Sequence, residues 1–219
     1  MNLNTLISDV RVRAADLGAD RYPDKLIIEW VNQAYRDLSA RLPIEVLKEV
    51  STSSTIPMSA TSGAVFDLPA SFTQYVNALF DGNKCLRISQ DKRTIVSDNV
   101  FYAAATADPY CIIWEDNIEV FPTPAGTATL TLYYIAKPTD MSGATDTPKL
   151  PDFSHALLVI YATARAMQEL QKYQEAREYM QEYEAKIQEI RYLYAPVGPK
   201  ESGRREGPGV PGPVLPPRD

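Results

Sequence analysis

Apolar residues at Leu3, Leu6, Ile7, Val10, Ala14 and Leu17 recur at the three- and four-residue spacing of one helical face. The spacing predicts a helix over 3–17, ended by Gly18 just past its last turn. A second stripe, Ile27, Trp30, Val31, Ala34, Leu38 and Leu42, predicts a helix that begins near Pro23 and stops at Pro43. The period then changes. Between about 46 and 148, short β-branched and aromatic runs are punctuated by Ser, Thr, Gly, Pro and Asn. Asp81-Gly82-Asn83 joins Tyr75–Phe80 to Cys85–Ile88 as a hairpin, and Glu115-Asp116-Asn117 joins Cys111–Trp114 to Ile118–Phe121 as another. Ala128, Leu130, Leu132 and Tyr134 alternate with Thr127, Thr129, Thr131 and Tyr133, the pattern of a half-buried strand. About six or seven such strands predict a small antiparallel sandwich or barrel.

Helix returns after Pro151-Asp152, an N-cap candidate. One face is traced by Phe153, Ala156, Leu157, Ile160, Tyr161, Ala164, Met167 and Leu170, and a second by Tyr173, Ala176, Met180, Tyr183, Ile187 and Ile190. A single helix over 153–194 would be about 63 Å long, so a break near 171–174 is expected. Residues 195–219 are different material: seven of the 25 are Pro and five are Gly, with no apolar period. Alone in water such a segment is disordered or partly polyproline II.

The fold class predicted from this pattern is α+β: a mainly α-helical bundle with an inserted small antiparallel β domain and an extended C-terminal tail. The bundle takes its first half from 1–45 and its second from 149–194. The β domain is 46–148, and the Pro/Gly-rich arm is 195–219. The four helices can share one bundle only if the ends of the β segment lie close together.

Composition narrows the chemistry. The 219 residues carry a formal charge of −6, which argues against a basic-patch nucleic-acid binder. There are two cysteines, Cys85 and Cys111, and no CxxC, so neither a disulfide scaffold nor a cysteine zinc site is expected. The one histidine, His155, has no partner His, and it reads as a packed or solvent-facing residue. The cysteines read as small buried hydrophobes. No phosphate loop, HExxH, GxSxG or acidic calcium loop occurs, so no catalytic residue, cofactor or metal is assigned. Absence of a targeting or membrane-length apolar run predicts a soluble intracellular protein with free thiols.

Two features point to protein partners. Glu175, Glu178, Glu182, Glu184 and Glu189 alternate with Lys172, Arg177, Lys186 and Arg191 along the last helix, the pattern of a solvated face. The same helix carries Tyr173, Tyr179, Tyr183, Tyr192 and Tyr194, and tyrosine is favoured both at interfaces and in thin-bundle packing. In the arm, Arg204, Arg205, Arg218, Val210, Val214 and Leu215 are anchors set among prolines, which suits a pre-extended peptide lying along a partner as well as an inert linker.

Several segments resemble a known family. Leu26-Ile27-Ile28-Glu29-Trp30-Val31-Asn32-Gln33-Ala34-Tyr35-Arg36-Asp37-Leu38 resembles the N-terminal helix of the head-to-tail adaptor (connector) proteins of tailed bacteriophages. Phe66-Asp67-Leu68-Pro69-Ala70-Ser71-Phe72 resembles their "DLP..F" segment. Ile118-Glu119-Val120-Phe121-Pro122-Thr123-Pro124 and Leu132-Tyr133-Tyr134-Ile135-Ala136-Lys137-Pro138 are similar to their β domain. Leu150-Pro151-Asp152-Phe153 and Ala176-Arg177-Glu178-Tyr179 are similar to their closing helices. The resemblance runs over about 3–194, and the arm has no counterpart motif. It implies a structural virion protein, a ring usually of twelve copies at the head–tail interface. The portal protein would lie above, a tail nozzle or other tail proteins below, and DNA would pass through the channel. Twelve copies at −6 carry roughly −72, a sign that repels phosphate and lets DNA slide. A different class stays open: a soluble scaffold whose Pro-rich tail binds a partner groove.

Overall fold

A computed structural model of the chain describes residues 1–16, 18, 21–59, 65–93, 108–123 and 126–195. Helix α1 spans Leu3–Arg13 and α2 spans Asp24–Arg41, followed by the short α3, Ile44–Leu47. The Asn2 side chain caps α1 by accepting from the Thr5 amide at 2.9 Å. Pro23 precedes α2 and Pro43 follows it, where the fixed φ of proline suits a helix boundary. All six residues of the predicted second stripe are buried. Helix α1 ends earlier than predicted. The left-handed residue past its end is Ala15 (φ 54°), not Gly18, because the chain turns early to bring Asp16 back onto Arg11.

Eight strands follow among the described residues: β1 Thr52–Met58, β2 Val65–Asp67, β3 Phe72–Phe80, β4 Asn83–Lys84, β5 Leu86–Arg87, β6 Tyr110–Trp114, β7 Asn117–Phe121 and β8 Ala128–Ala136. They form two four-stranded sheets, ordered β1-β8-β3-β4 and β2-β7-β6-β5. One apolar core holds Phe80, Leu130 and Leu132 of the first sheet with Cys111, Ile118 and Val120 of the second, so the sheets pack face to face. Both predicted hairpin turns are present. Asp81 (φ 47°) and Gly82 (φ 83°) supply the two left-handed residues that match a tight turn to strand twist. The chain beyond β4 departs from the expected hairpin: β5 crosses to the other sheet and pairs parallel with β6, Leu86 opposite Tyr110.

Helices α4, His155–Glu169, and α5, Tyr173–Leu193, complete the described chain. The expected break lies between them, at Gln171 (φ 58°). They close a second core with α1 and α2, built on Leu6, Val10, Ile27, Trp30, Leu158 and Ile187, into which Ile135, Met141 and Leu150 also reach. The Asn32 side chain ties α2 to the segment after β8: it accepts from the Met141 amide at 2.9 Å and donates to the Met141 carbonyl at 3.0 Å.

The predicted fold class needs correcting. The described residues are 46% helical and 25% strand in two sheets, so the chain is α+β but not a mainly helical bundle with a minor insertion. The sheets bury their own large side chains and form a layer of comparable weight. The parallel β5–β6 pair also makes the β portion mixed rather than antiparallel.

Candidate functional site

The arm residues named above, Arg204, Arg205, Val210, Val214, Leu215 and Arg218, lie outside the described residues. The described chain ends at Ala195, and the surface there is apolar. Helix α5 has 21 residues and its antiparallel partner α4 has 15, so the end of α5 overhangs the start of α4 by about 9 Å. The 3₁₀ turn Asp152–Ser154 directly precedes α4 at that end. Tyr192 is consequently 84% exposed and Leu193 68% exposed, and Phe153 is 48% exposed although the predicted stripe placed it inward. Phe153 and Tyr194 lie parallel and offset, centroids 6.3 Å apart and planes 7° apart. Beside them opens a groove of about 330 Å³ floored by Ala156, Leu157, Ile190 and Leu193, with Lys186 and Glu189 on its lip.

The tyrosines of α5 separate into two groups. Tyr183 is fully buried: its hydroxyl donates to Asp37 at 2.6 Å, its ring meets Tyr161 edge-on at 5.3 Å, and Arg41 lies over it at 5.8 Å. Burial, with the Asp37 carboxylate, pushes its phenol well above the usual range. Tyr173 and Tyr192 face solvent. The acidic face of α5 is also divided. Glu184 leaves the solvated row to form a two-point pair with Arg41 of α2, which holds its carboxyl below the ordinary range. Lys172, the residue that caps the start of the helix, pairs with Glu175 at 3.0 Å.

His155 is buried at the start of α4. Its Nε2 is 2.9 Å from the Leu150 carbonyl and its Nδ1 is 2.9 Å from the Met1 amino group, with the Asp152 carboxylate 3.7 Å away. A neutral ring with the proton on Nε2 satisfies both short contacts. Burial and the Met1 ammonium hold its pKa below the ordinary 6.5. The neutral form is thus favoured on folding, and the stability it contributes is present above pH 6.5 and is lost as pH falls through the lower folded value. Urea midpoints at about pH 7.5, 6.5 and 5.5 are expected to fall in that order, by no more than about 1.4 kcal/mol per pH unit from this one proton. His155→Gln is expected to flatten that slope. An equal slope in the variant would assign it to other groups.

Cys85 and Cys111 are buried free thiols, as the sequence suggested. A hydrogen bond with Cys111, reinforced by burial, raises the Cys85 thiol far above its usual range, which leaves it a poor nucleophile. Glu119 of β7 is buried and pairs with Arg93 at 2.8 Å, while its second oxygen and the Trp114 indole nitrogen have no partner among the described residues. No group of three or more His, Cys, Asp or Glu among the described residues could hold a metal. No helix among them is long and apolar enough to cross a membrane.

Sequence reasoning missed three buried polar residues that set the geometry: Asp16, Asn32 and Glu119. Asn32 carried a faint signal, since it directly follows Val31 on the buried side of α2. Glu119 carried none, because its partner Arg93 is 26 residues away, and Asp16 carried none although Arg11, Arg21 and Tyr22 lie within six residues of it.

The family model described as SU10 adaptor protein matches residues 1–210 of the chain, spanning both helical halves and both sheets. A search of the curated proteins finds no significant match.

Proposed function

Because the chain belongs to the SU10 adaptor protein family and is a structural adaptor of a phage, we propose that it forms a ring between the portal and the tail, through which DNA passes. The observation that carries this reading is the match over nearly the whole chain rather than over one module. The portal protein lies on one side of the ring and the tail nozzle or other tail proteins on the other. The protein resides at the head–tail interface of the virion, and in the host cytoplasm during assembly. Twelve copies are the expected number. A formal charge of −6 per copy supports the passage, because a lumen of negative sign repels phosphate and leaves no sticking points.

The proposed partner-binding segment is the arm, with Arg204, Arg205 and Arg218 pairing with carboxylates and Val210, Val214 and Leu215 filling shallow pockets. Prolines lower the entropy lost when such a segment is ordered. Particle mass of the purified chain, alone and with portal, tests the ring. Deletion of all residues after Pro196 is expected to leave the thermal midpoint within about 2 °C of the full chain, since the described residues of both cores lie before position 195. It is expected to produce DNA-filled heads that leak or lack tails. Normal infectious yield from the truncated chain would refute the role of the arm. A persistent monomer that binds a proline-recognition domain would favour the scaffold reading.

A further inference from the structure

We infer that the groove at the open end of α4 and α5 receives the proline segment 213–218 of a neighbouring copy. The inference deepens the ring reading above and rests on it. Pro213-Val214-Leu215-Pro216-Pro217-Arg218 places two prolines three residues apart with an arginine two residues beyond the second. In the polyproline conformation residues three apart share one face, about 9 Å apart. A surface that reads such a face needs aromatic rings lying flat and an acid at one end. Phe153, 48% exposed, and the half-buried Tyr194 supply the rings, parallel to within 7°. Leu193 and Ile190 floor the space between the prolines. Glu189, which lines the groove, is the carboxylate for Arg218, and the exposed Asp152 directly precedes Phe153 in the chain.

The groove belongs to the next copy rather than to the same one. Tyr194 lines the groove, so the arm departs from its rim. To return, the 17 residues 196–212, with four prolines and five glycines, would have to end where they began. Extended at the polyproline rise, the same stretch reaches about 50 Å. A contact between the arm of one copy and the groove of the next is head-to-tail, and repetition of such a contact closes a ring when the rotation permits.

The test places p-benzoylphenylalanine at position 193 of the full-length chain. An equal mixture of unlabelled and ¹⁵N-labelled protein, assembled together, is then irradiated. Adducts from 193 to peptides within 208–218 are expected, carrying one light and one heavy half, which identifies two copies. Pro213→Ala with Pro216→Ala is expected to reduce that adduct about tenfold without altering the thermal midpoint. Same-isotope adducts with no mixed ones would place the arm on its own groove and overturn the inference, since contact between copies makes about half of all adducts mixed. Adducts to another part of a neighbouring copy, or none to the arm, would overturn it as well. Rings seen by particle mass without the mixed adduct would leave the adaptor reading standing while this inference fails. Monomers without it would remove both.

Discussion

Asp16→Ala is expected to destabilise the protein by about 3–5 kcal/mol, because it strands a buried guanidinium. Arg11 is 9% exposed and Asp16 is 3% exposed, and their charged atoms meet at 2.8 Å. The same carboxylate accepts from the Arg21 amide at 3.1 Å and the Tyr22 amide at 3.2 Å, so its loss leaves two backbone donors unpaired as well. Asp24, the other acid on Arg11, cannot replace it, since its side chain is 68% exposed and is screened by water. The effect separates a buried charge from a lost contact. Arg11→Met combined with Asp16→Ala removes both charges and is expected to cost less than Asp16→Ala alone. Urea midpoints of the two variants decide it, and a double variant less stable than the single would show that the ion pair is not the cause.

Trp30→Ala is expected to cost about 3–5 kcal/mol through the cavity it opens. The indole is 5% exposed and meets the Tyr22 ring edge-on, 5.4 Å away with planes at 72°. Tyr22 in turn donates its hydroxyl to the Ala166 carbonyl of α4 at 2.7 Å, so the loss loosens a joint between α2, the loop before it and α4. For a chain of this size the thermal midpoint is expected to fall by about 6–20 °C. Trp30→Phe keeps most of the volume and is expected to lose much less. A midpoint for Trp30→Ala equal to that of the unaltered chain would contradict the packing described.

Local signals found the elements that depend on local physics. The stripe of α2, its flanking prolines, the break at Gln171 and the turn at Asp81-Gly82 all follow from periodicity or from the few residues that suit a given backbone angle. What escaped the sequence depends on which distant segment a residue meets. Nothing near Leu86 says that it leaves its hairpin to run parallel with Tyr110. The end of α1 was placed at glycine, yet Ala15 takes the left-handed angle there because the Arg11–Asp16 pair holds the turn. The groove was illegible for a related reason. Phe153 fits an inward stripe, and its exposure comes from the difference in length between two antiparallel helices. The stripe along α5 placed Tyr183 inward and left Tyr192 off it, as they stand, whereas Tyr173 at its start is 67% exposed.

The core shared by α1, α2, α4 and α5 joins the two ends of the described chain, and this imposes an order on its synthesis. The ribosome releases α1 and α2 first, but about 110 residues separate them from α4. At about 5–20 residues per second, the stripe bearing Leu6, Val10, Ile27 and Trp30 waits about 5–20 s for its partners. In that interval the sheets, contiguous in the chain, can complete their own core. Every residue that lines the α4–α5 groove is translated after position 150, so a nascent chain offers no docking site and only a finished copy presents one.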